Sequence, residues 1–257
     1  MAMKVSIVTS VYNGNGTIEE CISSVLNQSY RNIEYIVVDG KSNDGTTDVI
    51  KKYKKHIAKI INEPDKGLYD ALNKGIEAAT GDVVGFLHSD DFYPHENVIQ
   101  NVVSHMNNCD IDSCYGDLVY VAKRDRTKIV RYWKSAPFND GLFKKGWMPP
   151  HPTFFVKREI YTRYGSFNTQ FKIAADYELM LRFLAKNNIS SHYIPEILVI
   201  MRTGGRSNKS LKNILITSRE DYNAWKVNNI KGGFHSILLK KLCKIPQFIN
   251  KSNGLHK

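Results

Sequence analysis

No apolar run in the 257 residues approaches the roughly 18–20 needed to cross a bilayer. The start, Met1 to Val8, has no basic stretch ahead of an apolar one and runs directly into a strand pattern. No signal peptide is therefore expected. With neither span nor leader, the expectation is a protein that is neither secreted nor integral to a membrane. The four cysteines, Cys21, Cys109, Cys114 and Cys243, form no CxxC pair and no zinc spacing. That argues for reduced thiols and against a disulfide framework. No internal repeat is present. The chain is 42% apolar and 24% charged, with 17 Gly and 8 Pro, which excludes disordered and collagen-like classes. Its length suits one larger α/β domain, or one domain with a small appendage, and can bury a sizeable core.

Acids are scarce at one end. After Glu196 only Glu220 and Asp221 remain, against twelve Lys and Arg, in a chain of net charge +11. The first 196 residues are close to neutral. Such asymmetry points to an anionic partner for the tail. No RNA- or DNA-binding motif accompanies the lysines, so nucleic acid is not expected.

What is present is a β-α alternation. Val5–Val11 is β-branched and apolar, the pattern of a buried strand. A turn comes next at Asn13–Gly16. Thr17 and Glu20 have capping-box spacing ahead of helical repeats at Ile18, Cys21, Ile22, Val25 and Leu26. Further strands are predicted at Ile33–Val38, Ile57–Ile61 and Val83–Leu87, with helices from Thr46 and over Leu68–Ala79, the latter closed by Gly81. Later elements are less regular: a helix near 95–106, strands at Ser113–Ala122, Lys128–Trp133 and Ser191–Met201, and an amphipathic helix at Ala175–Leu184. The three prolines in 146–152 require a loop, and helices are expected from Ser210 onward. The alternation implies a mostly parallel sheet covered by helices. In such sheets ligands bind at the carboxyl ends of the strands, where Asp39 and Asp90-Asp91 fall.

Each candidate has two readings. Asp90-Asp91 are adjacent carboxylates that need a cation or donors, and hard divalent ions take such ligands. They also suit a solvated turn in which one acid caps the helix near Pro94. Asp39, followed by Gly40-Lys41-Ser42-Asn43-Asp44-Gly45-Thr46, fits a close approach to a nucleotide, or a turn with an N-cap. Asp70, Asn73 and Lys74 share a helix face; Lys74 can meet a phosphate or water. Asp176, in the first turn of its helix, is a general base or a carboxylate stabilising the helix dipole.

Together, Val5–Asn13, Val37–Thr46, Glu63–Gly75, Gly85–Asp91 and Ala175–Arg182 resemble the inverting glycosyltransferases of family two. Residues 4–205 carry the resemblance. His151-Pro152-Thr153 and Gly204-Gly205-Arg206-Ser207 are similar to segments of the bacterial exopolysaccharide and O-antigen transferases, the colanic-acid type among them. The resemblance implies an α/β protein with the GT-A (Rossmann-like) nucleotide-sugar fold and a mostly parallel central sheet. A GT-A domain would span 1–209, with a nucleotide-binding part of about 1–95 and an acceptor part of about 96–209. A basic helical tail would occupy 210–257. It also implies a nucleotide-sugar donor, most often a uridine diphosphate sugar, and a lipid-linked or polysaccharide acceptor. By the same resemblance, Thr9, Val11, Asn13, Asp39, Asp65, Lys74 and Asp90 contact the nucleotide, Asp91 ligates Mn²⁺ or Mg²⁺, and Asp176 is the catalytic base. His151, Arg202 and Arg206 meet phosphate or acceptor. Two departures stand out: Ala175 where the family usually has Glu, and Ser89-Asp90-Asp91 in place of a strict Asp-x-Asp. A catalytically degenerate glycan- or nucleotide-binding protein of the same fold is the non-enzymatic alternative. A dinucleotide-dependent dehydrogenase is excluded, because Glu19 stands where its third glycine would be.

In the tail, Phe234, Ile237, Leu238, Leu242 and Ile245 recur at helical spacing, with Lys240 and Lys244 off the stripe. The stripe either docks on the domain or lies on an anionic membrane. The second alternative places the protein in the cytoplasm, peripheral at the inner face of the cytoplasmic membrane.

Overall fold

The strand β1 (Val5–Val11) is buried at all seven positions. Side chains alternate across a strand, so Val8 enters one core while Val5, Ile7 and Val11 enter another. The computed structural model, which describes residues 2–204 and 211–249, accordingly has a sheet between two helical layers. β1 lies parallel to β2 (Ile33–Asp39) on one side and to β4 (Val83–Phe86) on the other, and β2 is parallel to β3 (Lys59–Asn62). Beyond β4 the sheet becomes mixed. β8 (Phe155–Lys157) runs antiparallel to β4 and to β6 (Ser113–Ala122), and β6 pairs in parallel with β9 (Ser191–Arg202). β7 (Asp125–Trp133) forms a hairpin with β6, and the two-residue β5 (Asp91–Phe92) pairs antiparallel with β9.

Helices α1 (Ile18–Leu26), α2 (Thr46–Lys52) and α4 (Val98–Cys109) cover the Ile7 face. Helices α3 (Leu68–Ala78), α5 (Arg158–Tyr164) and α6 (Ala175–Met180) cover the Val8 face. α6 continues as a π-helical turn, Leu181–Lys186, not as a regular helix to Leu184. Among the described residues three C-terminal helices follow: α7 (Leu211–Val227), α8 (Phe234–Leu242) and α9 (Pro246–Ile249). α7 is no loose tail. Its Ala224 and Trp225 belong to the Val8-side core, and the Trp225 indole donates to the Tyr177 hydroxyl at 2.9 Å. The expected boundary at 209/210 lies outside the described residues.

Three local expectations change. Thr17 makes no side-chain cap, and Glu20 turns away to pair with Arg202 and Arg126; two guanidiniums outcompete one backbone N–H for a carboxylate. The third strand starts at Lys59, since Ile57 is spent filling the core beneath the loop. α4 starts at Val98, where the Gln28 carbonyl accepts the Ile99 N–H at 3.0 Å and fixes the helix entry.

Candidate active site

The carboxyl ends of β1 and β2 are tied into one platform. Asp39, opposite Val11 in register, is fully buried. It accepts from the Ser42 N–H at 3.0 Å, the Thr47 hydroxyl at 2.8 Å and the Asn62 amide at 3.1 Å. Asn13, in the left-handed region at φ 54°, accepts from the Asn43 N–H at 3.0 Å and donates its own N–H to the Ser42 hydroxyl at 2.8 Å. Gly14 N–H donates to Thr46 Oγ1 at 2.9 Å. Asp39 and Asn13 thus shape the 40–47 loop. This edge presents outward the exposed Asn13, Tyr12, which is 54% exposed, and the half-buried Asp65, while Asp39 stays beneath them. A Cβ on Gly40 would lie 2.1 Å from Asp65 Oδ2, so only glycine allows that approach.

Three expected nucleotide contacts are otherwise engaged. The Thr9 hydroxyl meets the Tyr35 hydroxyl at 3.1 Å inside the α1 layer, and Val11 packs in the same core. β1 can offer a ligand there only its backbone and the Tyr12-Asn13 turn at its end. Lys74 pairs with Glu63 at 2.9 Å and Asp70 at 3.5 Å and donates to the Pro64 carbonyl at 2.7 Å. It is a strut for the segment carrying Asp65, not a free cation.

The end of β4 lies beside this platform. A Cβ on Gly14 would sit 3.3 Å from Ser89 Oγ, and Cys21 Sγ donates to the His88 carbonyl at 3.3 Å. Asp91 is fully buried, and neither of its carboxylate oxygens has a hydrogen-bond partner. Burial, then the neighbouring Asp90, pushes its carboxyl well above the ordinary range. An orphaned buried carboxylate is expensive and calls for a cation. Arg202 does not supply one by contact. It pairs with Glu20, donates to the Asp90 carbonyl at 2.7 Å, and stacks over Phe92. These contacts hold the turn that carries Asp90. Arg206 lies outside the described residues. Among the described residues no three His, Cys, Asp or Glu are grouped as a closed metal site. Asp91 alone fits a hard ion that completes its shell with water and substrate phosphate.

Asp176 is the half-buried polar member of an otherwise buried stretch, Ala174 to Met180. Its Oδ1 accepts from the Tyr177 N–H at 2.8 Å and the Tyr69 hydroxyl at 3.3 Å; Oδ2 takes part in neither bond. Tyr69 also donates to the Ile173 carbonyl at 2.5 Å. Burial lowers the His88 imidazole, and the charges of Asp90 and Asp176 partly oppose that shift. Behind His88 lies His151, ring centroids 6.0 Å apart, stacked on Phe86. Burial, and secondly His88, lowers His151 to about 3, so it is neutral, and its buried Nε2 has no partner. Such a nitrogen can meet a ligand hydroxyl. Glu178 is no substitute base: it is buried, salt-bridged to Arg182 at 2.9 Å and bonded to Asn228.

Sequence reasoning missed Tyr69 and Glu220. Tyr69 and Glu220 act across long separations that no local pattern reveals. The Glu220 carboxylate, from α7, accepts the N–H groups of Lys172, Ile173 and Ala174, each at 2.9 Å. It pins the entry to α6, two residues before Asp176. If Asp176 is the base that the sequence resemblance implies, Glu220→Ala should lower kcat about tenfold or more, since small misplacements of such a group are costly, with donor KM little changed. Glu220→Gln, which keeps one acceptor, should recover part of the loss. Equal loss in kcat and donor affinity would mean that the whole fold had moved.

The family model for glycosyl transferase family 2 matches residues 6–171. An uncharacterised glycosyltransferase of Mycobacterium tuberculosis is 32% identical over 187 residues, 70% of this chain and 69% of its own length. A PGL/p-HBAD biosynthesis glycosyltransferase of Mycobacterium bovis is 25% identical over 208 residues, covering 79% of this chain and 78% of its own. Two solved structures share the fold: S. aureus TarS 1–349 in complex with UDP-GlcNAc, and a mannosyltransferase from Pyrobaculum calidifontis in complex with GDP-Man and Mn²⁺. The first has a TM-score of 0.70 at 16% identity over 97% of this chain and 72% of that one. The second has a TM-score of 0.66 at 20% identity over 94% and 69%.

Proposed function

Since this chain belongs to glycosyl transferase family 2, we propose that it is an inverting, metal-dependent hexosyltransferase acting from a nucleotide diphosphate sugar. The observation that carries the reading is the buried Asp91 just beyond the end of β4, whose two carboxylate oxygens have no hydrogen-bond partner. The donor is a uridine diphosphate sugar, its nucleoside lying against Tyr12 and the loop shaped by Asp39 and Asn13, with Asp65 and Asp90 beside it. Its diphosphate faces Asp91. Mn²⁺ or Mg²⁺ held there would neutralise the charge that develops on the departing diphosphate.

Asp176 does the proton chemistry. Its Oδ2 takes the proton of an acceptor hydroxyl as that oxygen bonds to the anomeric carbon from the face opposite the phosphate. The carbon–phosphate oxygen bond breaks, the nucleotide diphosphate leaves, and the carbon inverts once. The transition state is oxocarbenium-like, as in glycoside hydrolysis. Tyr69 and Glu220 fix the direction of Asp176, and neutral His151 offers Nε2 to a sugar hydroxyl. The acceptor is a lipid-linked sugar or growing bacterial polysaccharide of the exopolysaccharide or O-antigen kind, the colanic-acid type included. The protein would then work in the cytoplasm at the inner face of the cytoplasmic membrane. No helix among the described residues is long and apolar enough to cross a membrane.

A panel of uridine, guanosine and deoxythymidine diphosphate sugars, with a lipid-linked sugar acceptor and Mn²⁺, tests this. One nucleotide class should be released in step with product. Tight binding of donor without release from any member would leave a glycan- or nucleotide-binding protein.

A further inference from the structure

Helix α8 buries its polar side. Ser236 and Lys240 are buried, and Lys240 Nζ donates to Asp221 at 2.8 Å while lying 3.5 Å from the centre of the Tyr177 ring. One turn on, Lys244 is half-buried, and desolvation, then Lys240, brings its ammonium down to about 8. Gln247 of α9 accepts from Arg131 Nε at 2.6 Å. The apolar side chains are left outside: Phe234 is 76% exposed, Leu238 60%, Leu242 51%, Ile245 54% and Phe248 48%. A helix on a globular surface normally does the reverse. The alternative in which this stripe docks on the domain is therefore overturned. The physical reason is the buried Asp221, which needs a cation and draws Lys240 inward.

We propose that the outer face of α8 and α9 docks flat on an anionic lipid bilayer. This rests on the lipid-linked acceptor reading above. Phe234, Leu238 and Leu242 recur at i+4, one line along α8, and Ile245 and Phe248 are exposed in the turn and short helix that follow, which suits a planar surface. No acid comes after Asp221 in the sequence. Lys231 and Lys241 are exposed beside the stripe, and Lys251 and Lys257 lie among the last residues of the chain. That charge complements acidic headgroups. A second copy of the chain would instead bring the same lysines against one another. The position also serves the reaction. Lys240 of α8 touches the ring of Tyr177, next to Asp176, and the α8 backbone closes on Gly146, where the loop bearing Trp147 and His151 begins. Docking sets the acceptor half of the site against the membrane. Because Lys240 and Lys244 are spent inside, apolar insertion dominates, and salt should weaken attachment only modestly.

Flotation of the full chain with phosphatidylcholine vesicles containing phosphatidylglycerol tests this, with nucleotide release from soluble donor measured in parallel. The wild type should float, and should keep most of its binding at about 0.5 M salt. Leu238→Glu combined with Ile245→Glu should lower the partition coefficient about tenfold or more, with nucleotide release unchanged. Lys241→Glu should reduce flotation less. Absence of wild-type flotation, or equal flotation of the double variant, overturns the docking face. A concentration-dependent dimer that the double variant abolishes, without flotation, assigns the face to a second copy and overturns it too. Flotation without nucleotide release from any donor leaves the docking face standing and removes the transferase reading.

Discussion

Asp176→Asn should lower sugar transfer by about 10²–10⁴, the usual contribution of a positioned general base, while donor affinity stays near wild type. The substitution is nearly isosteric. An Asn carbonyl at Oδ1 still accepts from the Tyr177 N–H and the Tyr69 hydroxyl, so the α6 entry keeps its shape. What is lost is basicity on Oδ2, the oxygen proposed to take the acceptor proton. No neighbour replaces it, because Glu178 is salt-bridged to Arg182 and bonded to Asn228. Single-turnover transfer and calorimetric donor titration, run on the same preparation, separate the two effects. Turnover within a few-fold of wild type would remove Asp176 from the mechanism.

The second large effect is expected at Asp91. Its carboxylate is buried, has no hydrogen-bond partner, and lies beside Asp90. Asp91→Asn should abolish the gain in donor affinity that Mn²⁺ or Mg²⁺ gives the wild type, a loss of roughly 10²-fold if the ion is worth several kcal/mol to the diphosphate. The variant should also change stability without any ligand. The folded carboxyl titrates above its ordinary value of 3.8, so the folded state holds more protons than the unfolded one from that pH upward. Stability of the metal-free protein then falls as pH rises through the folded pKa, and Asn removes that slope. Urea unfolding of both proteins across pH 4 to 8, with and without Mn²⁺, reads both consequences. A metal-induced stabilisation equal in wild type and Asp91→Asn would move the ion elsewhere.

Much of the β-α half of the fold was legible in the sequence for a physical reason. β1 and β4 are buried throughout and β2 over its last five residues, so they read as apolar runs rich in β-branched residues, one ending at Asp39 and another five residues before Asp91. β5 and β8 were not legible, since two or three residues carry no periodicity, and their pairing with β9, β4 and β6 is long-range. Thr17 and Glu20 had correct capping spacing, yet Arg202, 182 residues away, took the carboxylate. Lys74 and Arg202 show the same limit: the Glu63 carboxylate and the Asp90 carbonyl that hold them are brought close by the fold, not by a local pattern. In α8 the helical period was right, but which side faces inward depended on the buried Asp221.

The proposed reaction is a single displacement at the anomeric carbon, with Asp176 as base. Its stereochemistry can be read by proton NMR of the product formed from an α-linked nucleotide sugar, from the coupling of the anomeric proton before any re-equilibration. Single displacement yields the β anomer, with no glycosyl–enzyme intermediate trapped in a quenched reaction. An α-linked product would mean two displacements or front-face attack, and would contradict the inverting mechanism.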